Sequence, residues 1–435
     1  MQATMTRRYV IGISVVMAFV MYLHRLCLGE IVKTDMFQEQ TGLSKEQIGS
    51  VLGAFFFTYA LLQVPAGWIG DRFGARRILT ASILVWSLLT AATGFAYGAL
   101  ALLVLRLGVG MAQAGAYPSS SSIVRNWVPV SRRGKASGLI AFGGRVGGAA
   151  SPFLTMLFIQ QIGWRATLVL YGVIGVGLAM TYFALIRDRP ADPPDSSQAE
   201  PMSGSPAMER RKINVAKSPR FGKVLLACCG SRSLWLNSLC QFCVNVGWVF
   251  LVTWLPTYLK EAKQVSDAQG ALMVSMALAV GMLGQLIGGA TADWSVKSFG
   301  LRYGRVLPIS LANCIAATAY LSCLLIDSAW GIVACCAVVS LMTDFANPSM
   351  WAFVQDVGGR NTGAIFGWPN MWGNLGAAAC ARMVPWVMAY GAGSTMGQDI
   401  VFVACGSAFF IAAVAALGMD ATKRLLDDHE ATRDQ

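Results

Sequence analysis

The sequence predicts an all-α polytopic membrane protein with twelve transmembrane helices in two six-helix halves. Hydrophobic residues make up 55% of the chain and charged residues only 13%, and the mean hydropathy is +0.54. The apolar residues fall in runs of about twenty, the length that crosses a hydrocarbon core of roughly 30 Å. Only helices and closed barrels satisfy the backbone in lipid, and these runs lack the alternating polarity of barrel strands.

Twelve such runs follow one another along the chain. The first resembles a signal peptide, because Arg7 and Arg8 precede it, but it is too long for the apolar core of one and many further runs follow. We therefore interpret it as a retained span. The predicted spans are 9–29, 47–67, 78–97, 99–121, 136–160, 166–186, 233–257, 269–292, 305–325, 329–352, 362–390 and 399–418.

A polar segment divides these spans into two sets of six. It is rich in Pro, Ser, Asp, Lys and Arg, a composition typical of a mobile linker. The predicted organisation is an N-terminal half at 1–187, a cytoplasmic linker at 188–225, a C-terminal half at 226–418 and a cytoplasmic tail at 419–435. Loops rich in Lys and Arg stay in the cytoplasm. We therefore expect a multi-pass plasma-membrane protein, of a bacterial inner membrane, with both termini cytoplasmic.

Charge and cysteine content exclude several classes of function. The net charge of +12 follows the membrane topology and does not indicate nucleic-acid binding. The only histidines are His24 and His429, and Cys240 and Cys243 lie within one apolar run, so no set of metal ligands occurs. No phosphate-binding loop or Ser–His–acid set is present. We predict no enzyme, no cofactor and no metal, and a protein that functions as a monomer.

The loop after the second span carries a pattern of glycines and charges. It reads Gly67-Trp68-Ile69-Gly70-Asp71-Arg72-Phe73-Gly74-Ala75-Arg76-Arg77, and a weaker copy, Gly288-Gly289-Ala290-Thr291-Ala292-Asp293, follows the eighth span. Glycines let helix ends approach closely, and the charges can form a latch between the halves. The arginines alone would satisfy the positive-inside rule, but Asp71 favours the latch. The predicted gating residues are Gly67, Asp71, Arg72, Gly74, Arg76 and Arg77.

This loop resembles that of the major facilitator superfamily, Gly-x-x-x-Asp-Arg-x-Gly-x-Arg-Arg. The resemblance implies two parallel halves around a site at the membrane midplane. Other residues resemble the anion:cation symporters of that superfamily, which include bacterial sugar-acid and hexuronate carriers and animal organic-anion and vesicular glutamate carriers. The matching residues are Tyr22-Leu23-His24-Arg25, Tyr59, Gln63, Pro65, Arg106, Gly110, Pro118 and the stretch 253–259.

Charged residues inside the spans indicate the cargo. The arginines well inside the spans are Arg25, Arg106, Arg145 and Arg382, and the acids are Asp344 and, near the outer end of the first span, Glu30. An arginine at a helix centre costs roughly 2.5–3.5 kcal/mol and must face a cavity or a partner. A cationic cavity requires an anion, and guanidinium binds carboxylate or phosphate through paired donors. The sequence therefore predicts an anionic substrate.

The predicted substrate-binding residues are Tyr22, Arg25, Tyr59, Arg106, Arg145 and Asn370. Tyr22 and Arg25 are three residues apart and so share one helix face, and the resemblance implies that both, and Asn370, contact cargo. It also implies that Arg106 is a second substrate- or coupling-related arginine, with a structural salt bridge as the alternative. Arg145 replaces a neutral residue of the resembling carriers. It indicates a dicarboxylate or a sulfated or phosphorylated substrate, unless it pairs with Asp344.

Two further features concern coupling and helix shape. His24 and Gln113 stand where resembling proton symporters carry carboxylates, and glutamine cannot cycle a proton, which argues against symport by the usual pair. The predicted coupling candidates are His24, Gln113, Glu30 and Asp344, of which His24 titrates near neutral pH as a free side chain. In the eleventh span, Pro369 between Gly367 and Gly373 predicts a break in the helix, with close packing alone as the alternative.

Together these features predict a secondary transporter that moves a small organic anion, a sugar acid or another carboxylate, by alternating access. Its partners would be that anion, the lipid bilayer and, in a symporter, protons; exchange and uniport stay open. An organophosphate:phosphate exchanger is an alternative, but it normally has an arginine in the seventh span, and 233–257 contains none. A non-transporting membrane sensor is another, although no signalling domain is evident.

Overall fold

A computed structural model describes residues 2–189, 219–390 and 396–426, and these residues form helices and short connections without a strand. Most of the predicted linker, at 190–218, and residues 427–435 of the predicted tail lie outside the described residues. The helices are α1 (Gln2–Ile31), α2 (Asp35–Thr41), α3 (Lys45–Phe73), α4 (Ala75–Thr93), α5 (Gly98–Ala114), α6 (Ala116–Trp127), α7 (Arg133–Leu185), α8 (Phe221–Gly230), α9 (Arg232–Val249), α10 (Leu255–Lys263), α11 (Asp267–Ser322), α12 (Ala329–Val357), α13 (Thr362–Tyr390) and α14 (Met396–Leu417).

Nine helical segments of the described residues are long and apolar enough to cross a membrane. Two of them contain helices of 53 and 56 residues, α7 and α11, which would measure about 80 Å if straight. Each is interrupted by one glycine with a left-handed backbone, Gly163 at φ 80° and Gly300 at φ 73°. Residues with a side chain rarely adopt this conformation, so glycine permits the chain to turn there. The predicted all-helical polytopic fold is confirmed.

Polar side chains set several helix starts. Ser44 accepts a hydrogen bond from the Gln47 N–H while the Gln47 side chain binds the Ser44 N–H, a reciprocal capping box at α3. Ser266 and Ser328 cap α11 and α12 in the same position. Such caps satisfy N–H groups that have no partner within the helix. The helices therefore begin sharply at the membrane boundary.

The predicted break at Pro369 is wrong, because α13 runs without interruption from Thr362 to Tyr390. Proline removes one hydrogen bond, and close packing on both sides offsets that loss: Gly367 lies against the backbone of Gln63 and Gly373 against Gln241. The irregular turn lies instead in the seventh span, where Phe250–Trp254 widen into a π-helical turn.

The two halves pack through α3 against α13 and through α7 against α11. A side chain at Gly67 would collide with the backbone of Gly363, and one at Gly138 with the carbonyl of Gln285. These close approaches lie toward one end of the bundle. The connections at this end are residues 73–75, 127–133, 186–189 and 219–221. We call this end the linker side. Large apolar side chains such as Leu100, at 74% exposure, cover the outer surface.

Candidate functional site

A cavity of about 150 Å³ lies between the two halves. Helices of both halves line the cavity: α1, α3, α6 and α7 from the first half and α9, α12 and α13 from the second. The lining residues are Tyr22, Arg25, Tyr59, Tyr117, Arg145, Gln241, Val244, Asn245, Trp248, Thr343, Asp344, Asn347, Met350, Trp351, Asn370 and Asn374. Five of the six predicted substrate-binding residues are among them, and Arg106 is not.

Arg25 lies in the cavity wall, enclosed by aromatic rings. Its Cζ is 4.3 Å from the ring centroid of Tyr59, 4.8 Å from that of Tyr22 and 5.2 Å from that of Phe55. The Nε–H donates to Gln113 Oε1 at 3.2 Å. No carboxylate of the described residues pairs with this guanidinium. The rings hold the group in place by cation–π attraction and leave its charge available to an anionic ligand.

Arg106 lies behind Arg25. Its Nη2 donates to the main-chain carbonyl of Arg25 at 3.2 Å, and its Cζ is 5.0 Å from the Phe55 ring centroid. The side chain is buried and has no acidic partner within the described part of the chain. The structure therefore places Arg106 in contact with a cavity residue and away from the cavity itself, and it shows no salt bridge there.

Arg145 and Asp344 form an ion pair between the halves. Asp344 Oδ1 accepts from Arg145 Nη2 at 2.5 Å and from Nε at 3.1 Å, and Gln285 Nε2 donates to the same oxygen at 3.0 Å. The Arg145 Cζ stands 3.9 Å from the Trp248 ring centroid. Of the two alternatives for Arg145, the pairing with Asp344 is the one observed. The cavity consequently carries one uncompensated charge, that of Arg25.

Neutral amides complete the wall. Asn370 Nδ2 donates to Gln63 Oε1 at 2.5 Å, so this bond also joins the two halves. Asn374 Nδ2 donates to the Asn370 carbonyl at 2.7 Å and Asn245 Nδ2 to the Gln241 carbonyl at 2.8 Å. Each amide thus uses its nitrogen within the protein and retains an oxygen that can accept a bond from a ligand hydroxyl.

Only Asp344 among the four coupling candidates lines the cavity. His24 is buried inside the first half, stacked on Tyr171 at 5.9 Å between centroids, and neither ring nitrogen has a hydrogen-bond partner in the described residues. Gln113 connects the side chain of Arg25 to the carbonyl of Met21. Glu30 pairs with Lys33 near the end of α1.

Among the predicted gating residues, Asp71 joins the halves directly. Its carboxylate accepts the N–H of Gly363 at 3.0 Å and of Ala364 at 2.9 Å, the first turn of α13, and the hydroxyl of Ser122 at 2.8 Å. The N–H groups at a helix start have no partner within the helix and attract negative charge. Asp71 therefore caps a helix of the opposite half.

The second copy of the motif makes the equivalent contact in the opposite direction, from the second half to the first. Asp293, on α11, accepts the N–H of Gly134 at 2.8 Å and of Lys135 at 2.9 Å, in the first turn of α7. Each half thus supplies one aspartate that caps a helix of the other. Since Gly67 meets Gly363 one turn before Asp71, the glycine is what allows the cap to reach.

The basic residues of the motif have other contacts. The Arg76 N–H donates to Asp188 Oδ1 at 2.7 Å, and its side chain to the carbonyl of Phe183, both within the first half. Arg72 stacks over Trp68 at 5.2 Å, and Arg77 is exposed. Gly74, at φ 101°, makes the turn between α3 and α4.

Sequence reasoning missed a second ionic cluster on the linker side. Arg133 Nη1 binds Asp356 Oδ1 at 2.6 Å across the halves, and Arg305 Nε binds Asp356 Oδ2 at 2.8 Å. Arg305 also donates to the carbonyl of Val130 at 2.8 Å. The available signal was a set of opposite charges at the ends of spans, which the positive-inside rule explained only in part.

An apolar helical bundle with a cavity between two halves and a single uncompensated cation in its wall defines a class, that of multi-pass membrane transporters. The chain belongs to the Major Facilitator Superfamily, whose family model matches residues 14–381.

Relatives and solved structures agree with this. The chain is 29% identical over 420 residues to the probable sulfoacetate transporter SauU of Cupriavidus necator, covering 96% of this chain and 94% of that protein. It is 27% identical over 355 residues to the probable galactarate/D-glucarate transporter GudP of Escherichia coli, covering 77% of each. The human organic anion transporter MFSD10 has the same fold, with a TM-score of 0.71 at 16% identity over 94% of this chain and 99% of that chain.

The fucose:proton symporter FucP of E. coli gives a TM-score of 0.68 at 15% identity over 93% of this chain and 98% of that chain. At such identities these two structures show the fold alone. The predicted resemblance to sugar-acid carriers is confirmed by the relatives, and the protein is a transporter and not an enzyme.

Proposed function

We propose that this protein is a secondary transporter that moves a small organic anion, a sugar acid or another small carboxylate, across the membrane by alternating access. The observation that carries the proposal is Arg25, a guanidinium fixed by three aromatic rings in the wall of the cavity and left without a carboxylate partner among the described residues. A buried uncompensated cation is costly, and an anionic ligand would offset that cost.

The topology belongs to the same proposal. We count α7 as two spans divided at Gly163 and α11 as two spans divided at Gly300, and with α13 as a further span the proposed number is twelve, six in each half. The positive-inside rule then places the linker side and both termini in the cytoplasm of a bacterial cell. Each chain has its own complete cavity, which supports a monomer as the functional unit.

Two features support movement of the halves. Asp71 and Asp293 hold the halves together on the linker side through hydrogen bonds to backbone N–H groups. These hydrogen bonds can break and reform while each half keeps its own internal structure. Rocking of rigid halves around a fixed site would open this side and close the other, as in other transporters built from repeats.

The size of the cavity and the names of the relatives restrict the class of substrate. A cavity of about 150 Å³ is small beside the roughly 300–1,000 Å³ of sites for drug-sized ligands. The relatives' names point to sulfoacetate and to the six-carbon diacids galactarate and glucarate. An organophosphate exchanger is less well supported, because the α9 residues that line the cavity, such as Asn245 and Trp248, are uncharged.

Uptake into proteoliposomes tests the proposal. Radiolabelled sulfoacetate and glucarate are offered to vesicles containing the purified protein, with and without an inward proton gradient. Accumulation that requires the gradient indicates proton symport, and equilibration without accumulation indicates uniport or exchange. If neither anion, nor galactonate or a hexuronate, enters faster than in protein-free vesicles, the proposal is wrong.

A further inference from the structure

The Arg145–Asp344 pair has a geometry that a purely structural ion pair does not need. Both residues line the cavity, Arg145 from α7 of the first half and Asp344 from α12 of the second. All three hydrogen bonds to the carboxylate converge on Oδ1, from Arg145 Nη2, Arg145 Nε and Gln285 Nε2. The other oxygen, Oδ2, is buried and accepts no hydrogen bond from the described residues. Asp344 thus has one oxygen available for a proton.

The two partners differ in their access to the cavity. The Arg145 side chain is 24% exposed and that of Asp344 only 1%. Trp248 covers one face of the guanidinium, while the edge of the guanidinium binds Asp344. Removal of one member of a buried pair leaves a costly unpaired charge. Arg145 can therefore turn to a ligand only if Asp344 loses its own charge at the same time.

We propose that protonation of Asp344 releases Arg145 as a second anion-binding group, so that this transporter carries dianions together with one proton and monoanions without one. A proton from the aqueous phase adds to Asp344 Oδ2 and forms a neutral carboxyl group. Arg145 then exchanges its bonds to Oδ1 for the second carboxylate or sulfonate of the ligand. The inference rests on the anion transport proposed above.

The charges of the cavity balance in both cases. Without ligand, Arg25 contributes one positive charge and the Arg145–Asp344 pair contributes none. A monoanion neutralises Arg25 and leaves the pair intact. A dianion and one proton neutralise Arg25 and Arg145 while Asp344 becomes neutral. A dianion alone would leave one uncompensated negative charge in a low-dielectric site, which is unfavourable.

The positions of the two arginines fit a ligand with an anionic group at each end. The Tyr22 ring lies 4.8 Å from Arg25 Cζ and also packs against Gly144, the residue before Arg145. A ligand chain can therefore lie along this ring between the two cations.

No other group facing the pair changes charge near neutral pH. On the elements packed around it, α11 presents the neutral Gln285 and α9 the neutral Trp248. Tyr22 and Tyr117 present neutral phenol groups. Arg25 keeps its charge, and His24 lies outside the cavity. Asp344 is therefore the group through which pH would act.

Binding of matched anions to the purified full-length protein tests the inference. Sulfoacetate and glucarate are the dianions, and acetate and gluconate are monoanions on the corresponding carbon skeletons. All stay ionised between about pH 6 and pH 8, above the ordinary carboxyl pKa of about 4. We expect the Kd for the dianions to increase toward pH 8 by up to about tenfold per pH unit, as one linked proton requires. The Kd for the monoanions should stay constant.

Two variants isolate the pair. Asp344→Asn is neutral at every pH and should bind dianions at pH 8 as tightly as the parent does at pH 6, without pH dependence. The double variant Arg145→Gln/Asp344→Asn leaves no buried unpaired charge and should bind monoanions normally while losing the tighter binding of dianions. Asp399→Asn, near the start of α14 and outside the cavity, is the control and should behave as the parent.

The outcomes separate this inference from the proposed function. If Asp344→Asn keeps the pH dependence of dianion binding, or the double variant keeps the preference for dianions, Asp344 and Arg145 do not form a second anion site. The same holds if the parent binds both classes of anion with equal pH dependence. A parent that binds none of the four anions and transports no sugar acid overturns the proposed function and this inference together.

Discussion

At the scale of single residues, Arg25 is held by contacts that a different cation would not reproduce. Its planar group packs against the rings of Tyr59 and Tyr22 while Nε binds Gln113. Lysine has a point charge without a planar face or a fork of donors. Arg106 supports the main-chain carbonyl of Arg25 from behind. The position of this charge is therefore set by α3, α5 and α1 together.

We expect Arg25→Ala to abolish anion binding and uptake. Loss of one partner of a buried charge pair costs about 2–5 kcal/mol, which is at least about a 30-fold increase in Kd. Arg25→Lys should retain part of the affinity through its charge. Arg302→Ala, an exposed arginine on the linker side, is the matched control. The measurement is the Kd of each variant for sulfoacetate, with thermal unfolding as a check that the variant is folded. Normal binding by Arg25→Ala would refute the assigned site.

The sequence predicted most residues of this site but not which of its arginines face the cavity. Tyr22 and Arg25 were predictable from helical spacing, and five of the six residues predicted to bind substrate do line the cavity. Arg106 satisfied the same criterion, an arginine in an apolar run, but points to a backbone carbonyl. Whether Arg145 meets Asp344 depends on the approach of two helices nearly 200 positions apart, which no local pattern encodes.

At the scale of helices, two crossed caps join the halves on the linker side. Asp71 and Asp293 each satisfy two N–H groups at the start of a helix in the opposite half. The carboxylates also complement the positive end of the helix dipole. Because these contacts join the two halves, in the proposed alternating access they would stabilise only the state that is closed on the linker side.

Replacement of either aspartate by asparagine should favour the state that is open on the linker side. Asparagine keeps one acceptor oxygen but loses the negative charge at the helix start, which contributes about 0.3–1 kcal/mol, so we expect the closed population to fall by up to about fivefold. Amide hydrogen exchange should accelerate at residues 363–366 in Asp71→Asn and at 134–137 in Asp293→Asn. Asp188→Asn removes a carboxylate that binds the Arg76 N–H within one half, and it should leave both segments unchanged. Unaltered exchange in the first two variants would contradict the role of the caps.

Two glycines on α3 allow a matched test of helix contact. A Cβ at Gly67 would strike the backbone of Gly363, whereas one at Gly53 would meet nothing within 4 Å. Gly67→Ala should therefore force α3 from α13 and reduce the initial rate of uptake. Gly53→Ala should transport normally and stabilise the helix by up to about 1 kcal/mol. Equal rates for the two variants would show that this contact is dispensable for transport.

The existence of the helices was easier to predict than their interruptions. Apolar runs of about twenty residues located the spans, because lipid requires internal backbone hydrogen bonding. Pro369 suggested a break that packing of α13 prevents, and the π-helical turn at Phe250–Trp254 had no signal beyond the nearby Pro256. Interruptions depend on the balance between local and tertiary contacts, and a sequence displays only the local part.

At the scale of the whole molecule, the internal repeat explains why both halves contribute to each contact. Gly67 and Asp71 in the first half correspond to Gly289 and Asp293 in the second, and the two aspartates cap helices in opposite directions. One local motif, used twice, thus generates a closed side with two equivalent connections. The central cavity lies between the same two halves and carries Arg25 on one half and the amides of α9 and α13 on the other.

The orientation of the molecule can be tested with a native cysteine. Cys229 is exposed and lies in α8 on the linker side, while the other cysteines are buried or half-buried. The positive-inside rule predicts that this side faces the cytoplasm. A membrane-impermeant maleimide should label Cys229 in inside-out vesicles and not in intact cells.

A cysteine at the exposed Ser328, which caps α12 at the opposite side, should show the reverse pattern. Peptide mass spectrometry distinguishes the two sites in one Ser328→Cys protein, so each serves as the control for the other. Labelling of Cys229 from outside would place the linker and both termini on the external face. The positive-inside rule would then have failed as a guide, and the caps formed by Asp71 and Asp293 would close the outer side of the transporter.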